Sequence, residues 1–96
     1  MIRHIVFFTA AKGIEASQVR RGLDALRAIP HASRFEVAQN AGVDPMGNTV
    51  EIVVYGEFAD WDALAAFKAD PIYADTTAKV RPLREMRLSA DFEAEG

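Results

Sequence analysis

Strand, helix, strand, strand, helix, strand: this order, legible in the hydrophobic patterning of a 96-residue chain, predicts a single α+β domain. Three observations carry the prediction. Four runs read as strands: the first is rich in β-branched and aromatic residues, and others alternate apolar residues at strand spacing. Two longer stretches place apolar residues on a 3.6-residue period. Pro30, Pro82 and the turn-rich segment Gly42 to Asn48 divide these runs from one another.

The first strand is Ile2 to Thr9, ending before Lys12-Gly13. A helix follows over Glu15 to Ile29, with Val19, Leu23 and Leu26 on one face and Ser17 as the expected N-cap. Pro30 forces Ile29 out of helical geometry and stops it. Arg34 to Asn40 alternates Phe35 and Val37 with Glu36 and Ala38, the second strand. Thr49 to Phe58 is the third, and Gly56 within it predicts a bulge or a close backbone approach. Asp60 caps a helix from Trp61 to about Ala69 that presents Trp61, Leu64 and Phe67 inward. Asp70-Pro71 restarts a helix to about Val80, since Asp70 can cap it and proline is tolerated at the first helical position. Arg84 to Phe92 is the last strand, with Met86, Leu88, Ala90 and Phe92 on one face, and Glu93 to Gly96 reads as a frayed tail. Two split βαβ halves give a ferredoxin-like βαββαβ arrangement: a four-stranded antiparallel sheet with the helices on one face.

Composition narrows the chemistry. The chain has no cysteine, which excludes disulfides, thiolate metal sites and a cysteine nucleophile. Zinc would have to rely on His4 and His31 with carboxylates, and no tight carboxylate cluster is present, so no metal or other cofactor is predicted. A net charge of −3 gives no electrostatic reason to expect nucleic acid. No apolar run approaches the ~20 residues that span a membrane. Ile5 to Phe8 is too short for a secretory signal, so a cytoplasmic location is the expectation.

The strand faces point to a partner. Ile5 and Phe7 oppose Val6 and Phe8, and Ile52 and Val54 oppose Val53 and Tyr55. Both faces of the central strands are apolar, while helices cover only one. An exposed apolar face of several hundred Å² is unusual for a monomer, and the simplest cover is a second copy, sheet against sheet. A homodimer is therefore predicted.

Several stretches carry a family resemblance. Ile2-Arg3-His4-Ile5-Val6-Phe7-Phe8 resembles the K-H-I-V-L-F opening of the stress-responsive, dimeric α/β-barrel (Dabb) family. Gly56-Glu57-Phe58 with Asp60 to Phe67 resembles its F-x-D-x-x-A-L-x-x-Y stretch. Asp70-Pro71 stands where the family often has His-Pro, and Val80 to Glu85 with Ala90 to Glu93 resembles its closing R-P-L-R-E … D-F-E pattern. The resemblance covers nearly the whole chain. It implies a homodimer whose sheets pack into a barrel. For chemistry it implies little, because most members have no assigned reaction. One plant member is a polyketide cyclase that carries out an intramolecular aldol condensation in a pocket between sheet and helices.

Candidate site residues follow from face and resemblance together. His4 shares its strand face with Val6 and Phe8 and can act as a base or orient a carbonyl. A histidine here lines the pocket in the cyclase-like members. No partner that would tune its pKa is visible in the sequence, which favours a packed, singly hydrogen-bonded histidine. Those members carry their acid/base histidine near Tyr73 and a pocket tyrosine near Phe67, so the cyclase pair is not reproduced. A phenol such as Tyr73 is a poor base at neutral pH but can donate to a developing oxyanion. Arg87 shares a face with Ser89; if that face looks towards the helices, Arg87 can bind a carboxylate or enolate. Arg81 and Arg84 read as surface side chains. The leading expectation is a Dabb homodimer that binds a small, apolar or aromatic organic molecule among His4, Val6, Phe8, Phe67, Tyr73 and Arg87. The alternative is a cofactor-free cyclase, isomerase or monooxygenase with His4 as base.

Overall fold

The computed structural model describes residues 1–96. Strand β1 runs Ile2–Ala10, and from Ile2 to Phe8 its even-numbered side chains are buried while the odd-numbered ones stay partly exposed. Helix α1 (Ala16–Leu23) leads to β2 (Ala32–Gln39), which pairs with β3 (Ile52–Phe58). Helices α2 (Trp61–Ala69) and α3 (Pro71–Val80) precede β4 (Arg84–Glu93). The sheet order is β2-β3-β1-β4 and every pair is antiparallel. Each helical connection therefore crosses over one strand, the split βαβ topology expected from the sequence.

One face of the sheet forms the core. Ile2, Val6 and Phe8 of β1 and Ile52, Val54 and Phe58 of β3 pack with Val19 and Leu23 of α1, Leu64 and Phe67 of α2 and Val80 of α3. Each fully buried side chain of this size stabilises the fold by roughly 1.5–3 kcal/mol. The Cα envelope, 37 × 32 × 16 Å, is that of a thin slab with one helical layer on one sheet. On the other face Ile5, Phe7, Val53 and Tyr55 are half-buried, while Leu88 and Phe92 are exposed. No helix is long and apolar enough to cross a membrane.

The two aspartate caps hold as expected. Asp60 accepts from Ala63 N and Asp70 from Ile72 N, each at 2.8 Å. Elsewhere the structure corrects the sequence reading. The helix predicted over Glu15 to Ile29 is α-helical only to Leu23 and continues as a 3₁₀ segment, Asp24–Ala28. Pro30 holds Ile29 extended (φ −78°, ψ 128°), and the last turns tighten ahead of it. Glu15, not Ser17, occupies the N-cap, and its N–H donates to Gln18 Oε1 at 3.1 Å. Trp61 is 51% exposed. A helical side chain leans towards the N-terminus, and at the first position there is no preceding turn for the indole to cover.

Strand β3 begins at Ile52 rather than Thr49, because asparagine side chains take over its hydrogen bonds. Asn40 Nδ2 donates to the Val50 carbonyl (2.8 Å), and Val50 N–H donates to Asn48 Oδ1 (3.0 Å). The expected frayed tail starts later than Glu93: β4 includes that residue, and Ala94 N–H donates to the Met1 carbonyl at 2.8 Å.

Gly56 marks a close approach, not a bulge. It pairs in continuous register with His4 and Phe35. A Cβ there would meet Phe58 Cε2 at 2.8 Å, so the glycine lets the Phe58 ring lie back over its own strand. The bulges lie elsewhere, between Phe8 and Ala10 on the β1–β4 ladder and between Ala32 and Arg34 on β2–β3.

Candidate functional site

Between the sheet and the helices lies a cavity of about 280 Å³. Val6, Phe8 and Val54 supply its sheet wall, and Leu23, Leu26 and Phe67 its helical wall. The residues predicted from sequence, His4, Val6, Phe8, Phe67, Tyr73 and Arg87, all line it. The pleat of β1 explains the first three, which share its inward face at two-residue spacing.

Phe67 is the hub of an aromatic cluster. Its ring centroid is 5.1 Å from that of Phe58, 5.6 Å from Phe35 and 5.8 Å from Tyr73. The rings of Phe58 and Tyr73 meet it edge-on, the arrangement favoured by the aromatic quadrupole. Phe58 in turn sets its ring at 73° to that of His4, 6.3 Å away. The imidazole is thus held from the sheet side by a ring whose place depends on Gly56.

His4 is 2% exposed. Its Nδ1 is hydrogen-bonded to Asp91 Oδ1, the residue directly across the β1–β4 ladder. A carboxylate only accepts, so Nδ1–H is the donor and Nε2 carries the free lone pair. Burial pushes the His4 pKa below its ordinary value; the hydrogen bond and charge of Asp91 act against this. A neutral imidazole oriented by a carboxylate is the arrangement of a general base.

This result corrects the reading of His4 as a residue without a tuning partner. The 87 positions between His4 and Asp91 hide the pairing from any local reading of the sequence. The signal was present in principle: antiparallel pairing of the first and last strands puts position 4 opposite 91.

At another point on the lining, Arg87 Nη2 donates to the Tyr73 hydroxyl at 3.3 Å. That bond uses the hydroxyl as acceptor and leaves its proton free to point into the cavity. Arg87 and Ser89 do face the helices, since Arg87 lies opposite Phe8 and Ser89 opposite Val6. Arg81 and Arg84, read as surface side chains, also line the cavity. No group of three or more His, Asp or Glu side chains is placed to hold a metal ion.

The lowered pKa has a sign that can be tested. Around and below pH 6.5 the unfolded chain takes up a proton at His4 that the folded chain still refuses. This histidine's contribution is therefore complete above that pH and is lost as pH falls towards the folded pKa. Urea midpoints measured from pH 7.5 downwards at fixed protein concentration should fall, with a slope from this group of at most about 1.4 kcal/mol per pH unit. In His4→Gln that component should vanish; the same slope in both proteins would assign it elsewhere.

The family model described as Stress Responsive A/B Barrel Domain, Dabb, matches residues 2–94. The chain belongs to the Dabb family. Among solved structures, a Dabb protein with a ferredoxin-like fold from Mesorhizobium loti is similar, with 24% identity, 99% of this chain and 97% of that one covered and a TM-score of 0.80. A dimeric ferredoxin-like protein of unknown function from Thermobifida fusca matches with 24% identity over 97% of this chain and 90% of that one, TM-score 0.79. A dimeric ferredoxin-like protein from Jannaschia matches at 15% identity over 97% and 98%, TM-score 0.84. At these identities the likeness shows the Dabb fold. No curated protein matches the chain.

Proposed function

We propose that this Dabb domain forms a homodimer, sheet against sheet, and that each subunit binds a small, largely apolar organic molecule in the cavity between sheet and helices. The cavity itself carries the reading: about 280 Å³ remains open between apolar walls that end in His4, Tyr73 and arginine side chains. A dry cavity of about 150 Å³ takes a benzene, so this space suits a molecule of one or two rings. Dimeric ferredoxin-like neighbours and the apolar open face of the sheet support the pairing.

The His4–Asp91 pair favours a second reading, proton-transfer catalysis on the bound molecule. His4 Nε2 takes a proton from a carbon next to a carbonyl. The C–H pair becomes a carbon–carbon double bond, the carbonyl π pair moves to the oxygen, and the Tyr73 hydroxyl donates to the resulting enolate. One experiment addresses both readings. A thermal-shift screen of small aromatic ketones and phenols should yield a ligand that raises the melting temperature by mass action. No shift with any of them counts against binding. The ketones that bind are then incubated in heavy water. Enzyme-dependent deuteration at the α-carbon, lost in His4→Ala, supports catalysis; binding without deuteration leaves a binding protein.

A further inference from the structure

The charge around the cavity is one-sided. The chain has 14 acidic residues against 11 Lys and Arg, yet the lining includes Arg81, Arg84 and Arg87 and no Asp or Glu. None of the three arginines is in an ion pair; the salt bridges of the structure involve His4, Arg27, Arg34 and Lys79. Arg84 and Arg87 are half-buried, and the only side-chain bond any of the three makes is from Arg87 to the neutral Tyr73 hydroxyl. Three like charges around one concavity repel each other, and no carboxylate pairs with any of them; the acid tied to the lining, Asp91, is bonded to His4.

The backbone is shaped to bring two of them together. In a regular strand, residues three apart point to opposite faces, which would turn Arg84 away from Arg87. Here Phe8 pairs with Arg87 but Ala10 with Arg84, so one extra residue is taken up on β4. This bulge returns Arg84 to the inward face, and the Thr9 hydroxyl holds it by accepting from Met86 N–H at 3.0 Å. Arg81 joins them from the C-terminal end of α3.

We infer that the molecule bound in this cavity carries a carboxylate on its apolar body, gripped by Arg84 and Arg87 with Arg81 at the entrance. The inference rests on the cavity-binding reading above and adds the chemical class of the ligand. A planar guanidinium matches a carboxylate in a two-point hydrogen bond, and a charged bond of this kind is about twice as strong as a neutral one. The apolar walls ask for a hydrocarbon or aromatic body behind the acid group.

The test pairs acids with their neutral amides: benzoate, cinnamate, 2-naphthoate and octanoate against the corresponding amides, by titration calorimetry, with inorganic phosphate as a further probe. At least one acid should bind tenfold or more tightly than its amide. The preference should shrink as salt rises, and Arg84→Gln and Arg87→Gln should each reduce it while the amide's affinity holds. Arg20→Gln, on the exposed side of α1, should leave it unchanged. Equal affinity for acid and amide overturns the inference while leaving cavity binding intact. Phosphate binding as tightly as the best acid overturns it in favour of a simple anion site. Binding of neither acids nor amides removes the cavity-binding reading, and this inference with it.

Discussion

Replacing Phe58 by alanine should destabilise the domain by about 3–5 kcal/mol, the usual cost of emptying a buried phenylalanine site. The ring is 0% exposed, lies over Gly56, meets Phe67 edge-on and stands against the imidazole of His4. Its neighbours cannot collapse into the space. Gly56 has no side chain to offer, and the strand backbone is fixed by continuous pairing with β1 and by pairing with β2 on its other edge. A domain of this size has only about 5–15 kcal/mol in total. The melting temperature should fall by roughly 12–40 °C, at about 4–8 °C per kcal/mol. Calorimetry at one protomer concentration measures it, since dimer formation would otherwise enter the value. A drop of only a few degrees would show that the aromatic cluster repacks. The same variant should loosen His4, so its pH-dependent stability component should weaken as well.

The reach of the sequence can be traced through these residues. Strand order, both aspartate caps and the inward face of β1 follow from local chemistry: pleat period, cap preference and proline geometry act within a few residues. What lay beyond it depended on pairing across the chain. Asp91 becomes the partner of His4 only through the β1–β4 register. Arg84 turns inward only because of a bulge that no local pattern marks. Helix details failed for a different reason. The segment Asp24–Ala28 keeps the apolar spacing of an α-helix while its backbone tightens before Pro30, and Trp61 has the right spacing but sits at the helix end. Periodicity reports which side is apolar; it does not report where the turn geometry changes.

The open face of the sheet sets up the other large effect: Leu88→Glu should convert the proposed dimer to monomer. Leu88 lies opposite Phe7, which lies opposite Val53, which lies opposite Ala38, so one apolar row crosses all four strands. A second row, Tyr55, Ile5 and Ala90, runs beside it. In the isolated subunit Leu88 is 59% exposed, so a glutamate there meets water and costs the fold little. Pressed against a second sheet, the same carboxylate loses its hydration without gaining a partner, at about 3–5 kcal/mol for a buried unpaired charge. Two-fold symmetry places one such charge on each subunit, so the dissociation constant should rise on the order of a thousandfold or more. Sedimentation equilibrium at micromolar concentration should give twice the 10.6 kDa chain mass for the unmodified protein and a value near 10.6 kDa for the variant. The cavity lies on the other side of the sheet, so the monomeric variant should keep its far-ultraviolet dichroism and its ligand affinity. An unmodified protein that sediments at 10.6 kDa would remove the dimer, and a variant that stays dimeric would move the interface off this face.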